Sequence, residues 1–291
     1  MRFDIQYLKK EDNIFPNGLK SLDDCPDIIY AVGNTKLLNE FSLAIVGARR
    51  CTLDGKRIAN KIADELASNG INIVSGLAYG IDSEAHKATI WKEGKPIAVL
   101  GFGFDYLPKV DRENLYEEII NCGGVIVSEY LENDPPNKIK FHKRNRIISA
   151  LAKGVLVIEA REKSGSLITI DYAKQLDKDV FVVPGGVFDE NYIGSNKLIA
   201  DGGKCVRNAE DILKFYSLIN CSEENNVECK KSSKIQPELL KVYKVLSKRG
   251  KSIDEICSKI DMPASNVMSS LTLLTIQGHI VQYPGNIFAQ K

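Results

Sequence analysis

Six short runs of β-branched and aliphatic residues recur along this sequence: SLAIV from Ser42, INIV from Ile71, PIAVL from Pro96, VIV from Val125, GVLVI from Gly154 and DVFVV from Asp179. A strand with one wet face alternates apolar and polar residues. Runs without such breaks need cover on both faces, the situation of strands in a parallel sheet between two helix layers. Each run leads into a small-residue turn and, in most cases, a segment of helical period. The spacing predicts a helix over Gly55–Ser68, where Ile58, Ile62, Ala63 and Leu66 share a face and Asn69-Gly70 ends it; others follow at Asp82–Lys92, near Glu113–Asn121 and near Ala209–Leu218. The fold class is therefore α/β: an extended Rossmann-like, mainly parallel sheet with helices on both faces.

Around that domain, assigned to residues 41–218, two further regions stand apart. Residues 1–40 form a short lead-in packed on the main domain, with CPDIIYAVGN as a strand and a Gly-Asn turn. Residues 219–235, including CSEENNVECKKSSK, are polar and poor in large apolar groups and read as a linker. Residues 236–291 hold three helical segments, Pro237–Arg249, Ser252–Ser258 and Pro263–Gln277, then a hairpin turning at Pro284-Gly285-Asn286. Three helices and a β-wing make a winged helix-turn-helix.

Net charge is +1, so no global field draws the molecule to a polyanion and any such site must arise by local clustering. The clustering is present. From Pro135 to Ile158 there is no Asp or Glu, while Lys138, Lys140, Lys143, Arg144, Arg146 and Lys153 fall inside the window. Seven cysteines, with no C-x-x-C pair and no adjacent His, indicate neither a zinc site nor a disulfide framework. The start lacks a signal-peptide run and no apolar stretch approaches the roughly 20 residues a membrane span needs. The expectation is a reduced, cytosolic protein without membrane association, metal or cofactor.

Ligands of open α/β sheets sit beyond the C-terminal strand ends, where helix N-termini offer unpaired N–H groups to anions. Three turns belong there: VGARR with Arg49 and Arg50, SGLAYGID with Ser75, and EAREKSGSLIT with Ser164, Gly165 and Ser166. Each alone reads equally well as a tight strand-to-helix connection; three on one sheet edge favour a phosphate site. His86 reads as a local hydrogen-bonding or packing group, and Glu159 as a cap on a strand end. GFGFDY lacks the third glycine of a dinucleotide fingerprint, and no P-loop, G-x-S-x-G elbow or H-E-x-x-H pair occurs.

GARR at Gly47, SGLAYGIDSEAH at Ser75, AVLGFGFD at Ala98, GGVIVSEY at Gly123, FHKRNRIISAL at Phe141, VIEAREKSGSLIT at Val157, VFVVPGG at Val180 and GSNKLIADGG at Gly194 together resemble the DNA-processing protein DprA (Smf) family. The resemblance runs in order from about Cys25 to Leu213, and the tail resembles the winged-helix domain of many members. It implies a non-enzymatic protein, a homodimer, that binds and protects single-stranded DNA and loads the RecA recombinase during natural transformation. By position it implies a pocket of Arg49, Lys143, Arg144, Asn145, Arg146, Ser164, Gly165, Ser166, Asn196 and Lys197. Ala48 stands where the family has Ser, His142 where it has Pro, and LENDPP replaces its Pro-Pro-Gly turn. The N-terminal helical domain of longer members is expected to be missing.

Two alternatives stay open. Related Rossmann-like folds include phosphoribohydrolases, whose G-G-x-G-T-x-x-E turn aligns with S-G-S-L-I-T-I-D and puts Asp171 near the acid. Alternatively the tail is the main, double-strand-specific reader, although its Pro263–Gln277 helix offers Ser265, Asn266, Ser269 and Ser270 and no Arg or Lys.

Overall fold

Strand β3 (Ser42–Gly47) shows why the apolar runs are unbroken. Its Leu43 and Ile45 face one helix layer while Ala44 and Val46 face the other, and all four are buried. A fully buried aliphatic side chain of this kind stabilises by about 1.5–3 kcal/mol, so a polar residue at any of these positions would be costly. The computed structural model describes residues 4–107, 114–218, 237–247, 250–260, 262–277, 279–283 and 287–290. They form two units, Met1–Asn220 and Cys221–Lys291.

The other strands of the first unit are β1 (Gln6–Lys9), β2 (Ile28–Gly33), β4 (Asn72–Ser75), β5 (Pro96–Leu100), β6 (Val125–Ser128), β7 (Gly154–Ile158), β8 (Asp179–Val182) and β9 (Lys204–Cys205). They lie in the order β1-β2-β6-β5-β4-β3-β7-β8-β9. Every pair from β6 to β9 is parallel; β2 joins β6, and β1 joins β2, antiparallel. The six runs of the sequence are thus the six strands β3–β8. The lead-in is more than packing, because β1 and β2 extend the sheet by two strands.

The helices are α1 (Leu53–Ser68), α2 (Ile81–Trp91), α3 (Leu115–Asn121), α4 (Lys138–Leu151), α5 (Gly165–Gln175), α6 (Ile193–Ala200) and α7 (Ala209–Phe215). One layer holds α1, α2 and α7, burying Ile62, Leu66, Ile81 and Ile212 against β3, β4 and β7. The opposite layer holds α4, α5 and α6 through Ile147, Ile148, Ile170 and Leu198, joined by Leu8, Phe15 and Leu19 of the lead-in. Helix α1 starts at Thr52, whose hydroxyl accepts the Gly55 N–H, which satisfies one of the donors a helix leaves unpaired at its start. No helix among the described residues is long and apolar enough to cross a membrane.

In the second unit, α8 (Pro237–Val245), α9 (Ile253–Cys257) and α10 (Ala264–Ile276) enclose Val242, Ile256, Val267, Leu271, Leu274 and Phe288. A small antiparallel sheet, β10 (Lys251–Ser252), β12 (Ile287–Gln290) and β11 (Ile280–Tyr283), forms the wing. Ser252 and Glu255 cap α9 reciprocally, a capping box written in the sequence as S-I-D-E. The first helix stops at Val245, short of the expected Arg249. The expected linker at 219–235 and the turn at 284–286 lie outside the described residues.

Candidate nucleic-acid interface

The strand order reverses between β3 and β7: from β3 the chain builds outward through β4, β5 and β6, and from β7 through β8 and β9 in the other direction. The connections leaving β3 and β7 therefore diverge, opening a crevice at the C-terminal edge of the sheet. A cleft of about 660 Å³ lies there, lined by Val46–Arg50, Ala78, Asp82, residues from Asn137 to Ile148 on α4 and its cap, and residues from Arg161 to Thr169.

Two helix N-termini meet at it. Ser164 caps α5: its hydroxyl accepts the Ser166 N–H at 3.4 Å and lies 2.6 Å from the Ser166 hydroxyl. Asn137 caps α4 by accepting the Lys140 N–H at 2.8 Å. Neither helix has an acidic residue in its first turn, so the partial positive charge of each start is left for a ligand. Exposed Arg49, Arg50, Lys138, Arg161 and Lys163 supply full charges along the lining, against a single carboxylate, Asp82. Arg49 lies over the Phe141 ring at 5.3 Å, and Phe141 meets Phe102 edge-on. That stacking fixes an otherwise mobile cation.

Arg144 is buried beneath this surface, 4% exposed. Its guanidinium donates to the Gly76 carbonyl at 2.7 Å and to the Val99 carbonyl, and its Nε to Asn145 Oδ1 at 3.2 Å. It thereby ties the ends of β4 and β5 to α4. Burial lowers its pKa to about 10, opposed by the negative charge of Asp82, so the group remains cationic at neutral pH. Burial pushes the Asp82 carboxyl up, opposed by Arg144 and by the Gly76 N–H at 3.1 Å. Asn145 completes the brace, donating through Nδ2 to the Gly165 carbonyl at 3.2 Å and fixing the start of α5.

Gly76 leaves room for this brace. A Cβ there would lie 2.5 Å from Arg144 Nη2. Gly76→Ala is expected to displace the guanidinium and destabilise the unit by about 1–3 kcal/mol, the range of an overpacked core site. A urea melt superimposable on the parent's would refute the tight fit.

Of the ten residues expected at the pocket, Arg49, Arg144, Asn145, Ser164, Gly165 and Ser166 come together in the cleft lining. Lys143, Arg146, Asn196 and Lys197 do not line it. The expectation that Arg146 grips phosphate is corrected: it is 1% exposed, with Nη2 2.5 Å from Glu129 and Nε 2.9 Å from Asp24. The Nε–H is not aligned with Asp24, so that contact is ionic and not a hydrogen bond. Lys143 lies 3.9 Å from the same Glu129. Residues two apart on a helix point to nearly opposite sides, so Arg144 and Arg146 could not both enter the cleft. Asn196 clasps Gly185, exchanging two 3.2 Å hydrogen bonds with its backbone, and Lys197 is exposed on α6.

The lining also holds Arg50 and Lys138, already named in the VGARR turn and the cationic window, and the structure adds Arg161 and Lys163. Their signal was available, since each is a cation within three residues of a turn or cap at the crevice. Glu159 is committed elsewhere: its carboxylate accepts from Thr52 N at 2.9 Å and from the Thr52 hydroxyl, at the N-terminus of α1. His86 is fully buried with neither ring nitrogen hydrogen-bonded, so it acts by packing, and burial holds its pKa down at about 3.

Both units match known protein families. A family profile described as DNA recombination-mediator protein A matches residues 6–217, and one described as the DprA winged helix domain matches residues 232–286. The DNA processing protein DprA of Streptococcus pneumoniae is 39% identical over 69% of this chain and 71% of its own length. Protein Smf of Escherichia coli is 32% identical over 94% of this chain and 75% of its own. A solved structure of DNA processing protein A from Helicobacter pylori, described for its single-stranded DNA binding mode, superposes with a TM-score of 0.67 at 31% identity, covering 74% of this chain and 97% of that one.

Proposed function

The chain belongs to the DprA/Smf family, the DNA recombination-mediator protein A family, and from that premise we propose that it binds single-stranded DNA in the switch-point cleft, without chemistry on it, and holds the strand for RecA. The observation that carries this reading is the convergence of two acid-free helix starts and five exposed cations on one crevice. Backbone donors and lysine or arginine side chains recognise phosphate and not base sequence. A base can lie against the Arg49–Phe141 stack, where aromatic and guanidinium planes tolerate any base. Hand-over to RecA and assembly as a homodimer are the family's contribution to the proposal.

The cleft offers little to the phosphoribohydrolase alternative. Asp171 is exposed on α5 and does not line the cleft, while Asp82 is held in the Arg144 brace. In the second unit, the exposed residues of α10, among them Ser265, Asn266, Met268, Ser269, Thr272 and Leu273, carry no charge, which supports an auxiliary role for the tail.

A titration of oligothymidylate and of duplex DNA over a salt series tests the proposal. Single strands should bind tighter, with log K falling against log salt by about 0.7 for each phosphate neutralised. Equal affinity for duplex, or no salt dependence, would sink it.

A further inference from the structure

Beside the main cleft lies a second one of about 260 Å³, sharing Arg49 and Arg50 as a common wall and bounded by Lys56, Tyr79, Glu84 and Lys87. Resting on the function proposed above, we infer that this second cleft is a subsite for the nucleotides flanking those in the main cleft, with Tyr79 as the platform for a base and Lys56 and Lys87 beside its phosphates.

Charge supports the assignment. Glu84 is the single carboxylate among four cations of that lining, and it lies 3.8 Å from Lys56 and 3.9 Å from Lys87. Both separations exceed hydrogen-bond length, so Glu84 meets each ammonium group at ionic distance only. Lys56 and Lys87 remain 45% and 39% exposed at their side chains, within reach of a ligand.

Geometry supports it as well. Tyr79 is 46% exposed, an aromatic residue at the surface beside cations, which is the pairing that single-strand binding surfaces use. Its place is fixed by the next residue. Gly80 has φ of +86°, and a Cβ there would lie 2.3 Å from the Ala48 carbonyl and 2.6 Å from that of Arg49. The turn carrying Tyr79 is therefore seated directly on the loop carrying Arg49 and Arg50. A strand leaving the main cleft past those arginines meets Tyr79 next, and the two arginines can serve successive phosphates from one short loop.

The test uses the full chain and oligothymidylates of graded length. Tyr79→Ala should weaken the longer oligomers roughly tenfold, the size of one lost base–aromatic stack. It should leave the shortest oligomer that the parent binds unchanged, and Tyr79→Phe should restore long-oligomer affinity. Lys87→Ala should lower the salt slope by about 0.7 for long oligomers only. With the single tryptophan, exposed Trp91, replaced by phenylalanine, Tyr79→Trp should be quenched by long oligomers and not by short ones. Equal loss at every length, no loss at any length, or no quenching by a long oligomer that binds would overturn the subsite while leaving the main cleft intact. A parent that binds no oligomer would overturn the proposed function itself.

Discussion

Arg146→Ala should cost about 3–5 kcal/mol of stability, the usual penalty for breaking a buried ion pair and leaving its partner charged. In the folded fraction it should leave affinity for single-stranded DNA close to the parent's. The guanidinium is 1% exposed, and its partner Glu129 is 5% exposed with Oε1 already lacking a hydrogen bond. Removing the cation leaves that carboxylate, between α4 and the end of β6, facing Lys143 at 3.9 Å, beyond hydrogen-bond length, and it also frees Asp24 from α4. The double replacement Arg146→Met with Glu129→Leu should recover most of the loss, because buried pairs exchanged for apolar groups of similar volume are often near neutral. Urea melts of the parent, the single variant and the double variant give the stabilities, and oligothymidylate titrations at low temperature give the affinities. A variant of unchanged stability with much weakened binding would return Arg146 to the DNA site.

The second large effect separates stability from binding by sign. Gly165 is the first residue of α5, and a Cβ there meets nothing within 4 Å. Gly165→Asp replaces the poorest ordinary helix former and adds an anion to a first turn that has none. Both changes favour the helix, together by up to about 1 kcal/mol. The same carboxylate would project where a phosphate is proposed to sit. Unit charges a few ångströms apart near a protein surface repel by several kcal/mol before screening, so single-strand affinity should fall by roughly ten- to a hundredfold. Gly165→Ala is the uncharged control, with a smaller loss. If Gly165→Asp binds DNA as the parent does, the start of α5 does not touch phosphate.

Much of the fold could be read directly from the sequence, for a physical reason. Parallel strands covered on both faces have no polar interruptions, so LAIV, IAVL and VLVI declare themselves. Strands at the sheet margins do not. β1 is QYLK, half of it exposed, and β9 is the two exposed residues Lys204 and Cys205, held by pairing to a neighbour and not by their own apolar content. In the site, the Ser164–Ser166 turn was legible only in company, since alone it reads equally well as a tight strand-to-helix connection and the other two turns on the same sheet edge tip the balance. The cationic window was legible as a cluster but not as a surface. Counting charges along a line ignores the helical period, which sends Arg144 toward the crevice and Arg146 toward Glu129. The acid that claims Arg146 comes from GGVIVSEY, outside the window, so no inspection of the window alone could have found it.

The pairing of β3 with β7 has a consequence for the order in which the protein can become competent. Leu43 is in register with Gly154 and Gly47 with Ile158, so the crevice between them has no second wall until the chain has been made past the start of α5. Contacts so distant along the chain form late and slowly. During synthesis, the half carrying Arg49 and Arg50 emerges first and waits without the Ser-Gly-Ser turn or the hydrogen bond from Asn145 to Gly165. A ribosome-bound fragment ending before residue 154 should therefore have no complete grip on nucleic acid, which keeps a nascent chain from engaging strands before it is finished.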